Sequence, residues 1–257
     1  MSDDLVPDEL WERVAPLLPP RPPRRHRYPG RFRRTTVLPC GASCMCLRKN
    51  VSWRDVPAER TGCSGVTAWR RLRDWTEAGV WPRLHEVHGR LRDRRLAHPC
   101  PERGAHTGPS PVDRARPGSK HHLIVDRHGT PLAVTLTGGN RHDVTQLNAA
   151  AGTIPRIRGL VGRPRHRPRR LFADRGYDYD KYRRVLRARG ITPQIARRGV
   201  PHGSGLGKTR WVVERTFAWL HQFKRLRIRY EIRADLHLGL LQLACSIICS
   251  RRLRASF

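Results

Sequence analysis

The stretch "LFADRGYD", residues 171–178, decides how the fold is read. Leu171, Phe172 and Ala173 make a short apolar strand, Asp174 stands at its end, and Gly176 turns the chain. A carboxylate at the end of a buried strand is where α/β proteins keep metal ligands, because ligands bind in the crevice at the carboxyl ends of the strands. One Asp cannot hold a cation alone, so its partners must come from elsewhere in the chain.

Outward from this stretch, strands and helices alternate. "VGRPRHRPRR", 161–170, is a basic loop that places Arg163, Arg165 and Arg167 where a phosphate backbone could meet them. "DKYRRVLRARG", 180–190, reads as a helix stopped by Gly190, and "ITPQIA", 191–196, as another strand. "GSGLGK" is a loop whose spacing and length do not match a phosphate-binding P-loop. "TRWVVERTFAWLHQFKRLRIRY" reads as one long helix from residue 209 to 230. At about 100° per residue, Arg210, Glu214, His221 and Arg225 share a narrow sector, leaving Trp211, Val212, Phe217, Leu220 and Phe223 to be buried on other faces. Glu214 is a candidate ligand on a basic surface; an Arg210–Glu214 ion pair one turn apart is the competing reading.

Upstream, "SKHHLIVDRHGTPLAVTLTGG" reads as a hairpin: strand 121–126, a turn at Arg127–Thr130 containing Gly129, and strand 131–137. A helix begins in "HDVTQLNAA". His142 and Asp143 of "NRHD" could line a site, but a turn and helix-cap role for Asn140 and Asp143 is an equal reading. The alternation predicts an α/β class with a mixed sheet and flanking helices. Asp174 and Glu214 can then converge at one sheet edge, and such hard oxygen ligands suit Mg²⁺ or Mn²⁺ in phosphodiester chemistry.

The N-terminal part differs in texture. "LVPDELWERVAPLL", 5–18, opens as a helix at Pro7 and Asp8, and a basic, proline-rich linker follows. Residues 51–81 read as two helices around a turn, with Ser64 capping the second and Val66, Trp69, Leu72 and Trp75 as its apolar stripe. Arg70, Arg71 and Arg73 decorate its surface. A helix-turn-helix laying one helix in the major groove has this pattern, and so has an ordinary helical pair with a solvated basic face. "LGLLQLACSIIC", 238–249, is too short to span a bilayer and reads as a core helix.

Charge points to the partner. Lys and Arg total 52 against 21 Asp and Glu, a net charge of +31, spread through the chain rather than gathered in a tail. An excess that large repels itself unless an anionic partner neutralises it, and a nucleic-acid backbone does so with strong salt dependence. Seven cysteines at irregular spacing argue against a secreted disulfide framework, and no signal peptide opens the chain, so a cytoplasmic protein is expected.

These motifs resemble the DDE transposases of bacterial insertion sequences, in the insertion-sequence-five group. The likeness is carried by residues 107–147, by "RRLFADRGYDYDKYRRVLRARGITPQIARRGVPHGSGLGK" and by "RWVVERTFAWLHQFKRLRIRYE", while "DELWERVAPLLPP" and 52–75 are similar to the group's N-terminal domain. The resemblance implies an RNase-H-like catalytic domain over 119–257 and a helical DNA-binding domain over 1–92. It implies an Asp-Asp-Glu triad that holds Mg²⁺ or Mn²⁺, cuts double-stranded DNA at transposon ends and joins the 3′-OH to target DNA. A homodimer on paired ends is compatible with it, and no membrane is involved. By motif, Asp174 matches the second Asp, Glu214 the Glu, and Arg210 the Arg four residues before it. Where related groups carry a Tyr and a Lys around these positions, this chain has Gly207 and His221; Lys224 or Arg225 could supply the positive charge.

The first Asp departs from the pattern. The family places it in a strand resembling Asp-Gly-Ser-His-Val-Arg-Ala, whereas this chain has "RDRRLAHPCPERGAHTG", with prolines and arginines that suggest no strand. Asp93 stands near the expected position among the wrong neighbours. Written in GC-rich codons and read one base later, Arg94–Pro101 gives Asp-Gly-Ser and then Arg-Ala. Residues 34–46 likewise give a normal apolar helix in a shifted frame. On this reading 93–118 is a disrupted first-strand region, Cys40, Cys44, Cys46 and Cys100 are frameshift products, and the copy is impaired. A zinc site from Cys40, Cys44, Cys46 and Cys63 competes, without paired CxxC spacing to support it. The alternatives in function are a non-catalytic, repressor-like DNA-binding protein and an RNase-H-like nuclease.

Overall fold

The computed structural model describes residues 5–20, 36–86, 93–99, 105–111, 116–156, 167–200 and 207–254, with 93–99, 207–210 and 253–254 described as backbone only. The N-terminal region is helical. Pro7 caps α1 (Asp8–Val14), which tightens into a 3-10 turn at Ala15–Leu17. α2 (Val37–Lys49) follows and ends at Asn50, whose left-handed φ of 59° suits an Asn cap. Pro39 is tolerated because it lies in the first turn, where backbone N–H groups have no helical acceptor. Small residues let α2 sink into the interior, and Pro39 to Leu47 are all buried. The odd composition of 37–46 therefore still makes a core helix.

α3 (Ala58–Thr61) and α4 (Gly65–Glu77) flank a tight turn at Gly62, with α5 (Val80–Glu86) beyond. Ser64 caps α4 as expected, its Oγ accepting from the Thr67 N–H at 3.3 Å. The apolar stripe is rotated from the predicted one: Gly65, Ala68, Leu72 and Trp75 are buried, while Val66 is 54% exposed. The cause is Gly65, whose Cα presses against the Trp53 carbonyl and sets which face looks inward. A methyl group there would run into that carbonyl oxygen. Gly65→Ala is expected to cost about 1–3 kcal/mol through overpacking, read as a lower urea midpoint.

The sheet forms around β3 (Pro117–Val125). β1 (Asp93–Pro99) pairs antiparallel with it on one side, from Asp93 opposite Ile124 to Pro99 opposite Gly118. On its other side it pairs with β4 (Pro131–Gly138), continued by the two-residue β2 (Gly108–Pro109). The hairpin was legible: Gly129 has a φ of 86°, and the Asp126 carboxylate accepts the His128 and Thr130 N–H groups. β1 corrects the expectation that 93–118 lacks a strand. β3 is an inner strand, and leaving its backbone groups unpaired would cost more than placing Arg and Pro residues in a partner strand.

β5 (Arg170–Ala173) runs parallel to β6 (Thr192–Ile195) as a separate two-stranded sheet, and β5 lies beside β1, so the strands succeed one another in space as β4, β3, β1, β5, β6. Between them come α6 (Leu147–Gly152) and α7 (Asp180–Ala188), the latter closed by Gly190. α8 (Gly207–His221) and α9 (Ala234–Arg254) complete the chain. Side chains alternate across β3: Ile124 joins a core with α6, α7, β5 and β6, while Leu123 and Val125 join a larger core on the opposite face. That larger core runs without interruption from Cys40, Leu72 and Trp81 to Phe217, Leu240 and Cys245. The N-terminal helices thus share a core with α8 and α9. Among the described residues, no helix is long and apolar enough to cross a membrane.

Candidate active site and nucleic-acid interface

β1 and β4 both run antiparallel to β3, so their carboxyl ends share one edge of the sheet. The 3-10 turn Asp143–Gln146 after β4 packs against the turn Arg175–Tyr177 after β5. Asp174, half-buried, sits at this edge and caps its own turn by accepting the Gly176 N–H at 2.8 Å. The motif "NRHD" comes to the same edge: the His142 ring stands edge-on to Tyr179 at 6.0 Å, and Asp143 pairs with Lys120 at 3.1 Å.

A buried clasp holds this edge. Asp178 takes the Arg183 guanidinium at 2.6 and 2.8 Å and the Arg198 N–H at 2.7 Å; its side chain is 6% exposed and that of Arg183 5%. Burial alone would raise the Asp178 pKa. The Arg198 N–H and the Arg183 and Arg197 charges outweigh it and hold the carboxyl below its usual range. Sequence reading missed this residue, although its position four after Asp174 was the available signal.

The other ligand candidates do not gather here. Asp93 opens β1 opposite Ile124, at the end remote from Asp174; six strand steps separate it from Pro99, about 20 Å. Glu214 is exposed on α8. Its neighbours Arg215 and Thr216 donate to the carbonyls of His128 and Gly129, each at 2.7 Å, and so pin α8 to the β3–β4 turn at that remote edge. Among the described residues no three His, Cys, Asp or Glu form a group that could hold a metal ion. The backbone of Arg210 lies in α8, and its side chain is outside the described residues. The cysteines divide in the same way: Cys40 and Cys44 lie in the large core, Cys46 and Cys63 in a separate small one, and burial pushes the Cys46 thiol up to about 12.

Among the basic candidates, Arg70, Arg167 and Lys224 are exposed. Arg71 and Arg73 both reach Asp74, at 3.3 and 2.8 Å, so their charge is partly spent within α4. Arg163 and Arg165 lie outside the described residues. Arg225 requires a correction. α8 ends at His221 instead of running to residue 230, which takes Arg225 out of the predicted sector. It is 5% exposed and grips Glu231 at 2.7 and 2.9 Å while donating to the Val51 carbonyl. A guanidinium six residues from its partner in an irregular segment leaves no periodic trace, so this pair was not legible.

Comparison with known proteins follows the same division. The family profile described as "Transposase DDE domain" matches residues 97–249, and one described as "Putative transposase of IS4/5 family" matches residues 6–85. A Burkholderia cepacia protein titled "Putative transposase for insertion sequence element IS402" is 63% identical over 148 residues, covering 58% of this chain and 70% of that one. A second from the same organism, "Insertion element IS402 uncharacterized 16.2 kDa protein", is 48% identical over 87 residues, covering 34% of this chain and 59% of that protein. With a DDE domain matched over more than half its length and this degree of identity to a relative, the chain belongs to the DDE transposases of the IS4/IS5 family, whose activity is DNA cleavage and strand transfer.

Proposed function

We propose that this chain is a transposase copy that binds double-stranded DNA at insertion-sequence ends but does not carry out strand transfer. The strand succession β4, β3, β1, β5, β6, with helices on both faces, supports an RNase-H-like catalytic region. By motif, Asp174, at the carboxyl end of β5, and Glu214, on α8, match the second and third triad members, although the two stand at opposite edges. The observation that carries impairment is the placement of Asp93 at the wrong end of β1, about 20 Å from the edge that holds Asp174. The DDE match beginning at residue 97, past Asp93, supports the same reading, as does the stretch 86–96 lying outside both matched regions.

The residues present do not fit a three-carboxylate Mg²⁺ or Mn²⁺ centre: Asp174 stands at one edge, whereas Asp93 opens β1 at the other and Glu214 lies on the helix pinned to that other edge, and a single carboxylate leaves a hard cation under-coordinated. DNA binding does not depend on that centre. It rests on the charge of +31 and on exposed cations such as Arg70, Arg167 and Lys224. That charge supports a protein that works on DNA in the cytoplasm, where paired ends would bring two copies together.

The test is strand transfer with purified protein, insertion-sequence-end duplex and Mg²⁺. No joined product above the no-protein control is expected. End binding should persist, weakening about 10³-fold between roughly 50 and 200 mM salt, and should be unchanged in Asp174→Ala. Robust strand transfer that disappears in Asp174→Ala would overturn the impairment. Cutting without joining would favour the nuclease reading.

A further inference from the structure

The segment between α8 and α9 is turned inside out. Along "RIRYEI", residues 227–232, Arg229 and Glu231 are buried while Ile228, Tyr230 and Ile232 face outward. The inward charges fix this arrangement: Arg229 donates to the carbonyls of Glu231 and Ile232 at 2.9 and 2.8 Å, and Arg225 grips the Glu231 carboxylate. Tyr230 is held as well, its hydroxyl accepting from Asn50 Nδ2 at 3.3 Å and its ring lying 5.4 Å from the Arg225 guanidinium. Ile232, at 57%, is the most exposed large apolar side chain among the described residues. Trp211, expected on a buried face, is 49% exposed, but the Arg215 guanidinium covers its ring at 4.3 Å. Ile232 instead forms one wall of an open groove of about 550 Å³, together with Ala105, His106, Leu136, Ala234 and Leu238.

Apolar side chains held rigidly in water beside an apolar groove fit a protein partner. Charge selects which one. Of the described residues lining the groove, Arg233 is the one Lys or Arg, and it is held by Glu77 at 2.9 Å and Asp235 at 2.7 Å, so carboxylates outnumber cations there. Arg227, at the margin, is turned back to donate to the His221 carbonyl. Paired carboxylates repel a phosphate backbone, which disfavours DNA as the occupant. They favour a basic protein, and this chain, at +31, is one. Two copies so strongly charged can approach only where their repulsion is locally cancelled, and this face provides that. It also carries both halves of a two-fold contact: Ile228 and Tyr230 project, and the groove beside Ile232 receives.

We propose that Ile228, Tyr230, Ile232 and the adjoining groove form the surface on which a second copy of this chain docks. Its purpose rests on the reading that paired DNA ends bring two copies together, and the experiment keeps the two ideas apart. The mass of the full chain without DNA is measured by sedimentation equilibrium across the micromolar range, at low salt and at about 0.5 M NaCl, where like-charge repulsion is screened beyond about 4 Å. The wild type should be a dimer at high salt and dissociate more readily at low salt, the opposite of the salt dependence of DNA binding. Ile232→Asp should weaken the dimer about 100-fold and Ile232→Ala about 10-fold. Val185→Asp, at an exposed apolar position on α7, should leave it unchanged. Should Ile232→Asp lower the urea midpoint, Ile232→Ala decides the matter at an intact fold. A wild type that stays monomeric at high salt, or Ile232 variants that dimerise as tightly as the wild type, would overturn the surface. A wild-type monomer that still binds an insertion-sequence-end duplex would overturn the surface alone. A dimer that Ile232→Asp breaks, in a wild type that does not bind that duplex, would overturn the DNA reading and leave the surface standing.

Discussion

Glu231→Gln is expected to destabilise the fold by about 3–5 kcal/mol, a large share of a domain's total stability. The Glu231 side chain is 3% exposed and that of Arg225 6%, and the guanidinium grips one carboxylate oxygen through two nitrogens. Gln keeps the shape but leaves Arg225 as a buried, uncompensated charge. The loss would spread, because Arg225 also donates to the Val51 carbonyl and ties the segment after α2 to the segment after α8. Arg229, fully buried alongside, donates to the carbonyls of Glu231 and Ile232 and to Ser119 Oγ of β3. The readout is the urea midpoint of the variant at pH 7 against the wild type.

The pH dependence has a definite sign. Burial alone would raise the Glu231 pKa, but the contacts with His237 and Arg225 outweigh it and hold it at about 2, against an ordinary value of 4.5. His237 is itself pushed down by burial and meets His121 through the ring nitrogens at 2.9 Å. The lasting positive charge beside Glu231 is therefore Arg225. A depressed carboxylate contributes its full stabilisation above about 4.5 and loses it as pH falls through about 2. The gap between wild type and Glu231→Gln should be widest near neutrality and shrink through that window; a gap that widened on acidification would exclude the assignment.

Asp178→Asn is expected to cost about 3 kcal/mol, the lower end for a broken buried pair because this clasp lies near the rim of the sheet. It leaves Arg183, whose guanidinium also donates to the Ile195 carbonyl, without its counter-charge. The turns after β5 and β6 should loosen together, since Arg198 is joined to Asp178 through its N–H and stacks on Tyr179 at 4.5 Å. Faster amide exchange at Gly176 and Arg198 than in the distant hairpin turn would locate the effect. Uniform exchange across the protein would argue against a local clasp. The depressed Asp178 pKa gives the same sign as for Glu231: its stabilisation is present above the ordinary carboxylate range and lost on acidification.

Much of the fold was legible because local signals agreed with it. The hairpin of β3 and β4 was marked by apolar runs around Gly129, the start of α4 by Ser64, the end of α7 by Gly190 and the apolar character of α9 by its composition. Those residues work over a few positions, where φ, a cap or burial of a whole segment decides the outcome. Arg225 and Glu231 failed the same reading. A charged side chain is placed by whichever counter-charge the fold brings to it, and helical phase places it on a surface only while the helix continues.

By itself the sequence determined the family, the alternation of strands and helices and the carboxylate at the end of β5, since each is written in contiguous residues. Only the tertiary structure decided that 93–99 forms a strand, that Asp93 falls at the far end of it, and that Trp211 stays half in water. The reason is the same in each case. An inner strand must satisfy the backbone groups on both its edges whatever side chains the neighbouring segment carries, and register and exposure follow from where that pairing and packing come to rest.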